Sequence, residues 1–242
     1  MLQSLIQDVI YKLTYYQIYF LVMLYFLLMY FVLAPAFLQT CKFLERRKVL
    51  HKISSGQVSR KQVSTEIKRS VSSILVFGFS GIPIVYLIRT GHIVLLEDNL
   101  YNILFGVLLL SLWNELHFFV VHRLMHLPYF MKRVHYVHHQ SKVPTVYSVY
   151  SFHWFEALLL STVPLTIAPF VPLPALAFVF YPLASILLNF SGHCNYRFGN
   201  GRGSNWVFFA TRHNEHHYKG KNNYGFATHY LDKIYKRINK SK

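Results

Sequence analysis

Long stretches without a charged side chain are the feature of this sequence that most restricts its fold. No Lys, Arg, Asp or Glu occurs between Tyr15 and Leu38. At about 1.5 Å of helix per residue, such a stretch is long enough to cross the roughly 30 Å of hydrocarbon in a bilayer. The chain is therefore predicted to be an integral membrane protein, and its 242 residues favour a single membrane domain, residues 1–242.

Two more segments are apolar enough to be spans, and the N-terminus has a different pattern. Residues 71–88 are uncharged, and residues 100–121 contain Glu115 and His117 as ionisable side chains. In residues 1–14, apolar side chains recur at helical spacing between polar ones, which is typical of a helix lying on the bilayer surface. We expect no cleavable signal peptide, because a short basic region and a small-residue cleavage site are both missing.

The segment 157–190 predicts a helical hairpin. Its 34 residues are uncharged but are interrupted by several prolines, which break or kink helices. The hairpin is expected to turn near Pro172 and Pro174, as either two full spans or a re-entrant pair. The predicted fold class is thus an all-α integral membrane protein with about four or five transmembrane or re-entrant helices.

The distribution of basic residues predicts how the chain is oriented. Nine Lys or Arg lie in residues 42–70, four in 122–154 and ten in 191–242, whereas residues 91–99 have none. Because basic flanks face the cytoplasm, the segments 122–154 and 191–242 are predicted to form a cytosolic helical cap. The formal net charge of +16 is explained by attraction to anionic lipids, so a nucleic-acid partner is not expected.

Eight of the 14 histidines fall into three tight sets. Their spacing of three or four residues brings side chains onto one face of a helix. Imidazole binds iron, zinc, copper and nickel, and eight imidazoles are more than a single tetrahedral ion uses, so we predict a di-metal site. The sets are His122 and His126; His135, His138 and His139; and His213, His216 and His217.

Other functions for a histidine-rich membrane protein are less consistent with this pattern. A metal-binding or metal-transport protein remains the alternative, but transport favours ligands spread along the spans, whereas these sets fall on one side. A metalloprotease is disfavoured because no His-Glu-x-x-His sequence occurs. The two cysteines, Cys41 and Cys194, are too few for a disulfide framework or a thiolate zinc site, and Cys194 is expected to be a packing residue.

The histidine strings resemble those of a known group, the fatty acid hydroxylase and sterol desaturase superfamily of integral-membrane oxygenases. The similarity covers about residues 113–242. His153-Trp-Phe-Glu156 resembles the family's His-Pro-x-Glu element, and His193-Cys-Asn-Tyr196 resembles its His-x-Gly-Tyr element. The chain departs from the family pattern at several positions: Glu115, Phe119, Val120, Trp154, Asn195 and Arg212.

The resemblance implies two iron ions, held almost wholly by histidine and covered by cytosolic helices, with O2 as co-substrate. It implies hydroxylation or desaturation of a membrane lipid, such as a sterol or a fatty acyl chain, that enters from the bilayer. A dry cavity lined by apolar helices would protect such chemistry from water. The cytoplasmic orientation is compatible with a bacterial inner membrane and with the endoplasmic reticulum.

The resemblance also suggests roles for further residues. His193 is expected to be a ninth metal ligand, whereas both an orienting role and direct ligation are open for His153. Glu115 lies on the helical face of His122, so it is expected either to accept a hydrogen bond from a ligating imidazole or to be a buried acid with another polar partner. Asn189 is a candidate for orienting His193 or a metal-bound water. Two more acids with similar hydrogen-bonding potential are Glu156 and Glu215.

Electrons for O2 chemistry are expected from a separate donor protein. The sequence contains no Gly-rich fingerprint for a flavin or nicotinamide cofactor, and a fused cytochrome b5-like domain is not expected. The basic segments that are predicted to face the cytoplasm would favour an acidic donor.

Overall fold

The computed structural model describes residues 2–198, 208–220 and 222–240. The parts of the predicted cap at residues 199–207, 221 and 241–242 lie outside these ranges. Most of the described chain is helical. The helices are α1 (Leu2–Lys12), α2 (Tyr15–Arg46), α3 (Arg60–Gly78), α4 (Gly81–Arg89), α5 (Leu100–Met125), α6 (Pro128–Phe130), α7 (Tyr136–His139), α8 (Trp154–Ser161), α9 (Ala175–His193), α10 (Phe208–Lys219) and α11 (Tyr230–Lys240).

Short irregular turns and strands connect these helices. A π-helical turn, Met131–His135, joins α6 to α7, and 3-10 turns occur at Val146–Ser148 and Pro164–Thr166. Two two-stranded sheets are formed, β1 with β4 and β2 with β3. The strands are β1 (Leu50–Lys52), β2 (Leu95–Leu96), β3 (Leu173–Pro174) and β4 (Tyr196–Phe198).

The predicted all-α membrane fold is confirmed. Within the described residues, four helical segments are long and apolar enough to cross a membrane, and they are Tyr15–Arg46, Arg60–Arg89, Leu100–Met125 and Ala175–His193. Three of them extend beyond the uncharged stretches, because backbone hydrogen bonding carries a helix past its apolar part. Thus α2 continues from the expected end at Leu38 to Arg46, and α3 begins at Arg60 rather than at residue 71.

The hairpin expected in residues 157–190 has two unequal arms. Its first arm, α8, has 8 residues, which is about 12 Å of helix and too short to cross a bilayer. The 3-10 turn at Pro164–Thr166 follows, and the chain turns before α9, which has 19 residues. The short arm favours the re-entrant form of the hairpin, which stays a prediction.

Close helix packing fixes the positions of the spans. A Cβ on Gly106 of α5 would lie 2.7 Å from the Cβ of Ala177 on α9, so only glycine allows this approach. Small residues at helix contacts are the usual means of close packing in membranes. On the other side of the bundle, the buried Tyr30 hydroxyl of α2 donates to the carbonyl oxygen of Tyr147 at 2.8 Å, and Ser70 of α3 donates to the same oxygen.

The two small sheets lie at opposite ends of the helical bundle. At one end β2 pairs in parallel with β3, near the end of α4 and the start of α9. At the other end, where α5 and α9 finish, β1 pairs antiparallel with β4. Asn195, just before β4, has φ 60°. Asparagine tolerates this left-handed conformation better than most residues, which explains how it can occupy the glycine position of the His-x-Gly-Tyr element.

Candidate metal centre

All nine histidines that were expected to bind metal converge in two groups at the end of the bundle where α5 and α9 finish. In each group, one nitrogen from every histidine lies within 4.8 Å of the others. The five-histidine group is His122, His126, His135, His139 and His216; the four-histidine group is His138, His193, His213 and His217. The second and third sequence sets are each divided between the two groups, so the groups lie side by side.

The nitrogen spacings in the four-histidine group fit a single ion. The Nε2 atoms of His213 and His217 lie 3.1 and 3.3 Å from Nε2 of His193, and 3.2 Å from each other. Two nitrogens bound to one ion at about 2.1 Å lie about 3.0–3.4 Å apart for ligand angles of about 90–109°. The side chains are therefore already spaced as ligands around one point.

The five-histidine group has the same spacing. Nε2 of His126 lies 3.0 Å from Nε2 of His216, and Nε2 of His139 lies 3.1 Å from Nε2 of His135. Nε2 of His122 is buried and has no hydrogen-bond partner among the described residues. A buried, unpaired nitrogen costs free energy unless something binds it, and a metal ion would satisfy it.

Three of these histidines use their other ring nitrogen, bonded to a backbone carbonyl, to fix the direction of Nε2. Nδ1 of His122 donates to the carbonyl oxygen of Tyr224 at 3.0 Å, and Nδ1 of His193 donates to that of Asn189 at 2.9 Å. Nδ1 of His216 donates to the carbonyl oxygen of Asn222. Because a carbonyl only accepts, Nδ1 carries the proton and Nε2 presents a lone pair to its group.

Glu156 is the acid that contacts a histidine of the centre directly. Its Oε1 accepts a hydrogen bond from Nδ1 of His135 at 2.8 Å, and both side chains are buried. A carboxylate that accepts from a ring nitrogen orients an imidazole and increases its basicity, and Glu156 is placed to act on His135 in this way.

Burial also keeps the imidazoles unprotonated. It lowers the pKa of His126 to about 3 and that of His139 to about 4. The pKa values of His213, His216 and His217 are lowered for the same reason, with neighbouring histidines adding to the effect. Only a neutral imidazole binds a metal, so these rings are in the ligating form at neutral pH.

The segment 222–228 accepts two of the hydrogen bonds that the Nδ1 atoms of the histidines donate. Its own backbone is held by two acids, Asp232 and Glu115. Its carbonyl oxygens at Asn222 and Tyr224 accept from His216 and His122. Asp232 accepts from the backbone N–H groups of Tyr224 and Gly225, both at 3.0 Å. We call residues 222–228 the carbonyl loop, because its backbone oxygens set the orientation of these rings.

A family model named fatty acid hydroxylase matches residues 107–237, which is more than half of the chain. The chain belongs to the fatty acid hydroxylase family. The matched region includes every histidine of both groups. The resemblance seen in the sequence is therefore confirmed.

Among curated proteins, this fatty acid hydroxylase family member is similar to a "Probable Delta(7)-sterol 5(6)-desaturase" of Neurospora crassa. The two are 26% identical over 185 residues, which cover 72% of this chain and 52% of the relative. The chain thus spans about half the length of that curated relative. No solved structure matches the chain.

Glu115 does not touch a ligating histidine in this family member. It accepts instead from the backbone N–H of Ala227 at 2.8 Å and from the backbone N–H and hydroxyl of Thr228. The expected bond to an imidazole is therefore wrong, and Glu115 is an acid with other polar partners. Glu115 and His122 both bind the segment 222–228, Glu115 at Ala227 and Thr228 and His122 at Tyr224.

Of the two roles left open for His153, the structure gives no support to direct ligation, and the side chain of Asn189 does not bond to His193. Nδ1 of His153 accepts from the backbone N–H of Phe155 and so caps α8, and His153 belongs to neither histidine group. Its contribution is to begin the helix that carries Glu156. The side chain of Asn189 donates to the carbonyl oxygen of Val149. It is the backbone oxygen of Asn189, and not its side chain, that orients His193.

Glu66 was not identified from the sequence, although it is 1% exposed. It accepts from Gln62 and Ser141, at 2.8 and 2.7 Å, and also from Thr145. Arg69, one turn further along α3, donates to the carbonyl oxygen of Val137 at 3.0 Å. These bonds fix both sides of the turn that carries His138 and His139. The signal in the sequence that could have identified Glu66 is its position as an acidic residue within the strongly basic segment 42–70.

Replacing Glu66 by alanine is expected to destabilise the protein. The change leaves the buried Ser141 hydroxyl and the partly buried Thr145 hydroxyl without their acceptor, at a cost of about 3 kcal/mol, or roughly 5–10 °C in melting temperature. Thermal unfolding in detergent measures the shift. Glu97→Ala is the matched control, because Glu97 is exposed at the other end of the bundle. An unchanged melting temperature for Glu66→Ala would show that this network does not hold the turn.

Gly225→Ala is expected to disturb the carbonyl loop. A Cβ on Gly225 would overlap the carbonyl oxygen of Thr228, so the loop backbone must move at a cost of about 1–3 kcal/mol. We expect weaker metal binding at the five-histidine group, measured by competition with a chelator. Gly91→Ala is the control: it strains a residue with φ 76° but meets nothing within 4 Å. Equal metal affinity in both variants would contradict the role of the loop.

Proposed function

We propose that this protein is an O2-dependent lipid oxidoreductase, a hydroxylase or a desaturase, that works with two iron ions at the nine histidines. The observation that carries the proposal is the pair of adjacent, buried histidine groups within the family-matched region. The type of ligand supports iron, because neutral imidazole suits a redox-active transition metal. Hard ions such as Mg²⁺ and Ca²⁺ prefer oxygen ligands instead. When bound, two irons supply the redox chemistry that activates O2 and attacks an unactivated C–H bond.

The chain's own residues would hold the ions and exclude water. The nine Nε2 or Nδ1 atoms would be the ligands, with Glu156 and the carbonyl loop keeping the rings in place. Aromatic rings cover the side that faces the bundle. The ring of Phe118 lies 4.9 Å from that of His122, and the ring of Phe152 lies 4.8 Å from that of His138. These apolar faces keep solvent out of the place where a lipid carbon would react.

We propose that the substrate is a membrane lipid, either a sterol or a fatty acyl lipid. The four apolar helical segments support access from the bilayer. The family name and the sterol desaturase name of the Neurospora relative support these two lipid classes. Hydroxylation and desaturation both begin with removal of a hydrogen atom from the lipid.

The cytoplasmic orientation and the electron donor are part of the same proposal. Basic residues are concentrated in residues 42–70, and β1 within this segment pairs with β4 beside the histidine end. Under the positive-inside rule, that end faces the cytoplasm of a bacterial cell or of a eukaryotic cell with the protein in the endoplasmic reticulum. Its basic surface would suit an acidic donor protein.

The test is lipid-dependent O2 uptake by the purified, iron-loaded protein in lipid nanodiscs. A reduced cytochrome b5 or a reduced ferredoxin is supplied as the electron donor, and a Δ7-sterol and a fatty acyl lipid are offered separately. We expect O2 uptake with one of the lipids, and mass spectrometry then shows either a gained oxygen atom or the loss of two hydrogen atoms. Iron flux into liposomes without O2 uptake would overturn the proposal in favour of metal transport.

A further inference from the structure

An apolar cavity lies at the end of the bundle opposite the histidines. Its volume is about 400 Å³, and it is bounded by α1, α2, α4, α8 and α9. This is within the range of cavities that bind small ligands, about 300–1,000 Å³. The cavity reaches inward as far as Tyr150 and Ser185 and outward to α1.

The wall of this cavity offers hydrocarbon and few free polar groups. None of the described residues that line it is charged. Three of its hydroxyl groups are already used by the protein: Tyr25 donates to Val179, Ser80 to Phe77 and Ser161 to Leu158, each to a carbonyl oxygen. Apart from the hydroxyls of Tyr150, Tyr181 and Ser185, the lining side chains offer no partner to a polar ligand, and each of its groups left unpaired would cost about 1–3 kcal/mol. The chemistry of the wall therefore selects a hydrocarbon chain.

A short stretch of the chain, residues 150–152, runs from the wall of the cavity to the metal centre. Tyr150 lines the inner end of the cavity, and two residues later the ring of Phe152 lies 4.8 Å from that of His138. The segment is tied to α9 by the bond from Asn189 to the carbonyl oxygen of Val149. Along α9, Ser185 and His193 are separated by about 12 Å of helix. A lipid with its reacting carbon at the histidines would therefore have its distal part directed toward the cavity.

Helix α1 forms the outer wall of the cavity and is firmly attached. Ile6, Val9 and Ile10 line the cavity. Arg89, at the end of α4, donates from Nε to the carbonyl oxygen of Ile10 at 2.6 Å and from Nη2 to that of Leu13. Its guanidinium group also lies 5.0 Å from the ring centre of Tyr15. The cavity thus ends against a helix that is held in place on the bundle.

We propose that this cavity binds the apolar tail of the lipid substrate and that α1 limits the length of tail that fits. The proposal rests on the proposed function in identifying the lipid as the substrate. Binding of the tail itself requires the cavity and not the chemistry, so the two are separable by experiment. The tail is either a fatty acyl chain or the side chain of a sterol, which present the same hydrocarbon to the wall.

Photo-crosslinking with two probes tests the proposal on the purified, metal-loaded full chain. One probe is a fatty acid with a diazirine at its methyl end, and the other is a sterol with a diazirine at the end of its side chain. Mass spectrometry of peptides locates the label. We expect labelling in α1, in α4 or in the first half of α9, and the stronger probe identifies the kind of tail.

Two cavity-filling variants and one matched control complete the test. Val9→Trp fills the cavity from α1 and Ile84→Trp fills it from α4, so both are expected to reduce labelling about tenfold, with the metal content of the parent. Leu28→Trp is the control, because Leu28 is 56% exposed on the outside of α2. Equal labelling in the parent and both filled variants, or label confined to outward-facing side chains such as Leu28, overturns the proposal.

The outcome also separates this inference from the proposed function. Lipid-dependent O2 uptake that is unaffected by Val9→Trp and Ile84→Trp would retain the proposed function and reject the cavity as the tail site. Label in the cavity without any O2 uptake would retain the cavity as a lipid site and reject the proposed function.

Discussion

His213→Ala is expected to remove one metal ion and to leave the other, so that the purified variant contains about one ion per chain where the parent contains about two. His213 belongs to the four-histidine group alone, and its Nε2 lies 3.1 Å from that of His193 and 3.2 Å from that of His217. Its loss leaves three ligands and an open position. The five-histidine group keeps its full set.

The complementary variant is His139→Ala, which removes a ligand from the five-histidine group alone. Elemental analysis of protein from iron-supplemented cells measures both variants. We expect lipid oxidation to fall at least about 100-fold in each, because a change of a residue that only supports a ligand already costs about 10–100-fold. The double variant with both changes should contain almost no metal.

His92→Ala is the control for these ligand variants. His92 is exposed at the opposite end of the bundle, where Nδ1 contacts the hydroxyl of Thr90. It should keep the metal content of the parent. Loss of both ions from His213→Ala would indicate that the histidines form one cooperative site, and full retention of both ions in each single variant would reject the histidine groups as metal sites.

Much of the fold was predictable because the bilayer requires long uncharged helices. The stretch from Tyr15 to Leu38 gave α2, and residues 100–121 gave most of α5. Helix ends were less predictable, since they lie outside the hydrocarbon and depend on caps. Ser59, whose hydroxyl accepts from the backbone N–H of Gln62, begins α3 well before its apolar part. The short α8 depended on the tertiary position of the turn at Pro164, which the sequence pattern leaves open.

The histidines of the centre were predictable, but their division between two groups was not. Spacing of three or four residues shows that side chains share a helical face, as for His213 and His217 in α10. His138 and His139 are neighbours in sequence, and they point to different groups because adjacent helical side chains diverge by about 100°. Which group each one joins depends on what packs across from it, which is information that one segment of sequence does not contain.

Hydrogen-bond partners were harder to predict than ligands. Glu115 and His122 were correctly placed on one helix. The carbonyl loop, however, lies more than 100 residues further along the chain, and its Ala227 N–H and Thr228 hydroxyl donate to the Glu115 carboxylate. Backbone groups also replaced expected side chains, as at Asn189. A sequence pattern identifies side chains by type, whereas any residue can supply a carbonyl oxygen.

The strongest effect of a residue that does not bind metal is expected at Glu156. In Glu156→Ala, the buried Nδ1–H of His135 loses its acceptor at 2.8 Å, and no other described residue accepts from it. We expect metal affinity at the five-histidine group to fall about 10–100-fold, with a loss of stability of about 1–3 kcal/mol from the unpaired donor. Competition with a chelator and thermal unfolding measure the two effects.

Two further variants separate the orientation of His135 from the charge of Glu156. Glu156→Gln keeps an oxygen that can accept from Nδ1 but removes the carboxylate, so it should retain most of the stability and lose part of the metal affinity. Glu215→Gln is the matched control, because Glu215 lies between His213 and His216 but is exposed, with its carboxylate 3.5 Å from Lys219. If Glu156→Ala bound metal as tightly as Glu215→Gln, the rigidity of the π-helical turn alone would be sufficient to orient His135.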